Sequence, residues 1–217
     1  MSQNSNLYYK QFLFSLIISF VFALIVLSLS YFIGKNELFF LLNCDLGRAP
    51  DYFFRYITNL GDGLMWMDLL IVILIKRKEL LPLMISSFIL TTIFTQIFKY
   101  FILPNEKRPS SAITDISQMH LVEGVTLHSI NSFPSGHTAT AFTFVLLIAL
   151  TVKRLDVLLL SFIVALLVAY SRIYLGQHFP LDIGGGFIVS IGSVSSSVFV
   201  QKCFERRRLE KAFLKAA

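Results

Sequence analysis

Apolar residues in this chain come in long runs separated by short polar stretches, with neither the alternation of a half-buried strand nor the polar face of a soluble amphipathic helix. The first run, residues 12–33, has about the length that crosses a hydrocarbon core of roughly 30 Å. A signal peptide would show a shorter apolar region and a small-residue cleavage site, so the run predicts a retained first helix. Residues 34–63 are mixed and turn-rich. Phe39, Phe40, Tyr52, Phe53 and Phe54 alternate there with polar residues, as in a segment lying partly along a membrane interface. Further apolar runs cover 64–75, 81–101, 138–152, 157–170 and 180–200, and the longest polar connection is 101–133. Residues 201–217 read as a short basic helix.

Six runs put both ends of the chain on one side. That side collects Lys10, Lys76, Arg77, Lys78, Lys153, Arg154 and the basic tail, which the positive-inside rule assigns to the cytoplasm. The predicted fold is therefore all-α: a polytopic bundle of six transmembrane helices, forming one domain over 1–217. No linker or internal repeat suggests a second. Composition supports a membrane protein, with 55% hydrophobic residues and only 15% charged among 217, and a mean hydropathy of +0.71. The net charge of +6 does not point to nucleic acid, because the cations sit in short clusters beside apolar runs without interleaved aromatic residues. Cys44 and Cys203 fall on opposite sides of the bilayer in this topology, which excludes a disulfide, and two cysteines cannot build a thiolate metal cage.

Three polar segments converge on the other face. In the last, Pro180 suits the first turn of a helix, so His178 stands just outside it and Asp182 within reach of one ring nitrogen. The carboxylate would fix the tautomer, leave the other nitrogen nucleophilic and stabilise positive charge as it builds. Arg172 adds a planar fork of donors that matches phosphate oxygens; a snorkelling interfacial arginine is the lesser alternative. In the middle segment, Pro134-Ser135-Gly136-His137 directly precedes an apolar helix. Gly136 admits close approach of an anion, Ser135 has a hydroxyl to donate and His137 is a candidate general acid. By itself Ser135-Gly136 is equally a helix cap. Earlier still, Lys99, Lys107 and Arg108 would neutralise phosphoryl charge, or hold anionic lipid headgroups.

Together these segments resemble the type-2 phosphatidic acid phosphatase (PAP2) superfamily, whose signature is a Lys followed by Arg-Pro, then Pro-Ser-Gly-His, then Ser-Arg-x5-His-x3-Asp. The second element is intact at Pro134–His137 and the third at Ser171, Arg172, His178 and Asp182. The likeness covers roughly residues 60–200. The first element departs: eight residues stand between Lys99 and Arg108, where the family commonly has six. Lys99 is favoured for its position at the extracytoplasmic end of a span, with Lys107 as its competitor.

The resemblance implies a metal-independent lipid phosphatase without a cofactor. His178 would be the nucleophile forming a phosphohistidine and Asp182 its orienting partner. His137 would protonate the leaving group and later activate water, while Lys99, Arg108, Ser135, Gly136 and Arg172 hold the phosphate. Implied substrates are lipid phosphates or pyrophosphates such as undecaprenyl pyrophosphate, phosphatidylglycerophosphate, phosphatidate and lipid A. The site would face the periplasm or extracytoplasmic side of the cell (inner) membrane. Membrane lipids are the expected partners, with no obligate protein partner and no nucleic acid. His120, Glu123 and His128 match no tight zinc spacing; residues 120–130 and 34–63 are where lipid selectivity is expected. Two alternatives remain at this stage: a phosphotransferase passing the phosphate to another lipid, and a transporter or lipid-binding scaffold.

Overall fold

Helices make up every regular element of residues 7–216, the residues described by the computed structural model; residues 1–6 of the expected polar leading stretch lie outside them. In chain order they are α1 (Tyr9–Phe32), α2 (Lys35–Leu42), α3 (Arg48–Ile57), α4 (Met65–Lys76), α5 (Leu81–Ile97), the four-residue α6 (Pro109–Ala112), α7 (Gly136–Thr151), α8 (Leu155–Tyr174) and α9 (Pro180–Ala216). Among the described residues, four helical stretches are long and apolar enough to cross a membrane: α1, the run Lys78–Ile102 that contains α5, α8 and α9. A fifth passes only as a broken pair, Arg48–Gly61 with Met65–Lys76, bent by 51°. The apolar α7, at 16 residues, is shorter than a full span.

Two elements differ from the sequence expectation. The basic tail is not a separate helix, because α9 runs unbroken for 37 residues; nothing in residues 195–205 (Ser, Val, Phe, Gln, Lys, Cys, Glu) breaks a helix. Nor is the 34–63 segment merely interfacial. Phe39 and Phe54 are buried, and Asn43 donates from its amide to the carbonyls of His120, Ile173 and Tyr174, which pins the segment to the end of α8. Cys44 and Cys203 are both free.

The bundle is organised on α9, which packs along α1, α5 and α7, while α7 packs on α8. Small residues make that close approach possible. The buried Ser193 and Ser197 hydroxyls donate to carbonyls one turn back (2.7 and 2.8 Å), so they cost little in an apolar setting. The glycine run 184–186 does more. A Cβ on Gly185 would lie 2.5 Å from the Phe133 ring, and one on Gly186 would lie 2.8 Å from the Ser135 carbonyl oxygen and 2.7 Å from the Thr138 Cβ. The run therefore seats the start of α9 directly on the start of α7, bringing the second and third polar segments together. Gly186→Ala should push these helix starts apart at a cost of about 1–3 kcal/mol. Detergent melting should show a lower Tm with a loss of activity, whereas an unchanged Tm would contradict this packing account.

Candidate active site

The tight turn between α8 and α9 positions the first group of side chains. α8 ends at Tyr174, and Gly176 adopts a positive φ of 65° that reverses the chain. The Arg172 carbonyl then accepts from both the Gln177 N–H (2.9 Å) and the His178 N–H (3.0 Å). His178 is thereby fastened to the residue six positions earlier, which accounts physically for the fixed interval between Arg172 and His178. Pro180 opens α9 and leaves Asp182 in its first turn.

From there Asp182 reaches back to His178. Its Oδ2 lies 3.2 Å from His178 Nδ1 and accepts from the Phe179 N–H (2.9 Å) and from the Ser132 hydroxyl. Both members of the pair are 2% exposed. Burial, followed by the nearby charges of Arg108, Arg172 and Lys99, drives the His178 pKa well below the usual imidazole value, opposed by a hydrogen bond to the Ser132 backbone. The imidazole is thus neutral and held by a carboxylate on one nitrogen, the state a nitrogen nucleophile requires.

The second segment is bonded onto the third. The Ser135 N–H donates to the Asp182 carbonyl (2.9 Å), while Ser135 caps α7, its Oγ accepting from the Thr138 N–H (3.4 Å) and the Thr138 hydroxyl (3.0 Å). The cap reading is therefore realised, and it leaves the serine's own O–H proton available, since a hydroxyl has one donor besides its two lone pairs. Gly136 starts α7, with His137 in its first turn. A Cβ on Gly61 would stand 2.9 Å from the His137 Cβ and 2.7 Å from Val168, so the turn before α4 wedges tightly against α7 and α8.

The cations surround this pair. Arg172, 7% exposed, donates from one terminal nitrogen to the Thr58 hydroxyl (2.7 Å), while its buried Nε has no hydrogen-bond partner among the described residues. Arg108 is also buried; its Nε donates to the Ile130 carbonyl (3.0 Å) and a terminal nitrogen to the Gln177 carbonyl (3.1 Å). Lys99 lies in a π-helical turn, Phe98–Ile102, at the end of α5, and interacts electrostatically with Arg108, Asp182 and Arg172. A π turn accommodates an additional residue relative to an α turn, which bears on the longer interval between Lys99 and Arg108. Lys107 is exposed.

Two polar clefts open beside these groups, with His128 on the boundary of both. One, of about 400 Å³, is lined by Lys99, Arg108, Gln96 and the 127–131 loop. The other, of about 270 Å³, is lined by His137, Arg172, Thr58, Asn59 and Arg55; Lys107 lines neither. Two apolar cavities lie deeper in the bundle and share Met65, Phe144 and Ile148. One is between α4, α7 and α8 (about 170 Å³, reaching Leu60) and the other between α4, α5 and α7 (about 280 Å³, with Asp68 its one titratable lining residue).

Sequence reasoning missed Ser132, Gln177, Thr58 and Arg55, whose places depend on contacts between distant loops. It grouped His120 with Glu123 and His128. Instead, His120 lies with Asp45 and Asp51, their ligand atoms within 4.8 Å of one another. There His120 Nε2 and the Tyr174 hydroxyl share Asp51 Oδ1, which ties the 113–130 loop to α8.

The helical bundle thus sets a buried His–Asp pair beside three cations and a capped helix start, a combination suited to holding an anionic phosphoryl group. The family comparison makes this specific. The PAP2 superfamily profile matches residues 81–206, more than half of the chain, and the chain belongs to that superfamily. It is 29% identical over 172 residues to an undecaprenyl-diphosphatase of Sulfolobus acidocaldarius, covering 78% of this chain and 79% of that one. It is 42% identical over 72 residues to the putative undecaprenyl-diphosphatase YbjG of Escherichia coli, a match spanning 33% of this chain and 36% of the relative. The crystal structure of Aquifex aeolicus LpxE is 34% identical, with a TM-score of 0.65 over 76% of this chain and 94% of that one. A PAP2-type phosphatidylglycerolphosphate phosphatase from Bacillus subtilis shares the fold, with 22% identity and a TM-score of 0.59 over 89% of this chain and 97% of that one.

Proposed function

We propose that this protein is a membrane lipid phosphatase, acting on a phosphate or diphosphate ester through a phosphohistidine on His178 and without a metal ion. The observation that carries the reading is the buried neutral His178, clamped by Asp182 and faced by an Arg172 whose Nε has no partner. Such a nitrogen is costly to bury unsatisfied, and a phosphate oxygen is the natural acceptor for it.

In this reading the ring nitrogen of His178 opposite Asp182 attacks phosphorus while the bond to the leaving oxygen breaks. His137 gives that oxygen a proton, then takes one from the water that cleaves the P–N bond and releases phosphate. Lys99, Arg108, Arg172, the Ser135 hydroxyl and the N–H groups at Gly136 and the α7 start neutralise the oxygens, supplying the charge a metal would otherwise bring. Lys99 rather than Lys107 fills the first lysine role, because it lines the cleft with Arg108.

The lipid assignment draws on the apolar cavity that begins at Leu60, next to the Thr58 and Asn59 of the polar cleft: headgroup above, hydrocarbon between α4, α7 and α8. The reading also takes the chain as one domain with six spans, counting the bent α3–α4 pair and the short α7. The termini would be cytoplasmic and the site on the extracytoplasmic face of the cell membrane, the orientation that the distribution of basic residues favours.

The test is phosphate release by detergent-purified full-length protein across undecaprenyl pyrophosphate, phosphatidylglycerophosphate, phosphatidate and lipid A. Release from at least one lipid, undiminished by EDTA, is expected. Silence on all of them, or a loss with EDTA that zinc reverses, would overturn the reading.

A further inference from the structure

Arg55 lies outside all three polar segments of the signature, yet it lines the same cleft as His137 and Arg172. Its guanidinium is held there by two features. One terminal nitrogen donates to the Glu123 carbonyl (3.1 Å), and both terminal nitrogens lie against Gly124, where a Cβ would stand 2.8 Å from each. Gly124 has a positive φ of 74°, so its conformation and its missing side chain together let the arginine cross the loop.

The distribution of charge around the site is uneven in an informative way. Lys99, Arg108 and Arg172 are the cations assigned above to the phosphoryl group that is transferred. Arg55 lies one turn before Thr58 and Asn59, where this cleft meets the apolar cavity that begins at Leu60, so it stands on the lipid side of the cleft that it shares with His137, the group assigned to the leaving oxygen. A simple phosphate monoester leaves as a neutral alcohol, for which a further cation on that side does nothing. A diphosphate leaves as a lipid monophosphate, whose anionic phosphoryl group such a cation holds both in the bound substrate and as it departs.

We propose that Arg55, seated on Gly124, binds the phosphoryl group that stays with the lipid, so that the site is built for lipid diphosphates. The inference rests on the phosphatase reading above and narrows its substrate class. His178 attacks the terminal phosphorus, the bond from that phosphorus to the bridging oxygen breaks as His137 protonates that oxygen, and the lipid monophosphate, anionic through its remaining oxygens, departs against Arg55. Water then releases orthophosphate from His178. Overall, one water is consumed, and one lipid monophosphate and one orthophosphate are formed.

The experiment compares kcat/KM for farnesyl diphosphate and farnesyl phosphate in the full-length protein, in wild type, Arg55→Gln and Arg55→Lys. Loss of one hydrogen-bonded charge predicts that the diphosphate-to-monophosphate ratio falls about tenfold to a hundredfold in Arg55→Gln, with Arg55→Lys recovering part of it. Inhibition by inorganic pyrophosphate should weaken in parallel while inhibition by orthophosphate does not, a readout independent of turnover. An unchanged ratio in Arg55→Gln, an equal loss on both substrates, or a wild type that hydrolyses only the monophosphate would overturn the proposal and leave the phosphatase reading standing. A wild type that releases phosphate from neither compound, nor from any lipid of the panel, would remove both.

Discussion

A His178→Ala protein is expected to release no phosphate above background from any lipid, a loss of about 10⁴-fold or more in kcat/KM, because removing the proposed nucleophile removes the proposed route itself. Asp182→Asn is the more informative partner. Asp182 Oδ2 gathers the Phe179 N–H, the Ser132 hydroxyl and His178 Nδ1. An amide can keep part of that geometry but brings no charge to match the imidazole as it becomes cationic, and it can orient the wrong tautomer. The expected loss is about 10²- to 10⁴-fold by the logic of carboxylate–histidine pairs, with the protein still folded by melting temperature. Full activity in His178→Ala would contradict the assignment outright. Full activity in Asp182→Asn would reduce the carboxylate to a packing role.

Arg172 should rank next. Its Nε is buried without a hydrogen-bond partner among the described residues, and the Thr58 hydroxyl steadies its other end. Arg172→Ala removes a preorganised donor aimed at developing charge, worth about 10²- to 10³-fold in kcat. Arg172→Lys should recover little, because an ammonium cannot reproduce the planar fork that reaches Thr58 and phosphate together. Steady-state phosphate release at saturating lipid checks this. A Lys variant as fast as wild type would mean that Arg172 serves only as a point charge.

What could be read from the chain alone divides along a physical line. His178 with Asp182, and Ser135 through His137, were legible because their geometry is local: a helix start converts sequence intervals into distances over one or two turns. The first lysine stayed open between Lys99 and Lys107, and no residue type announces the π turn in which Lys99 lies. Ser132 and Gln177 could not be found. Ser132 reaches Asp182 across fifty positions, and Gln177 bonds the Thr126 carbonyl and Arg108 from another loop. Arg55 was hidden for the same reason, inside a segment whose alternating aromatics suggested only an interface. The helical class followed from the long apolar runs. Span counting is harder, since α7 is short and the α3–α4 pair is bent; helix ends depend on packing partners rather than on hydropathy alone.

The central claim is a covalent bond between His178 and phosphorus. It is tested most directly by single-turnover quenching with a substrate carrying labelled phosphate at the reacting position. The account predicts protein-bound label within the first turnover, stable in alkali and lost in acid, on the peptide containing His178 and absent from His178→Asn. Label on a different residue, or none within the first turnover while phosphate is released, would contradict it.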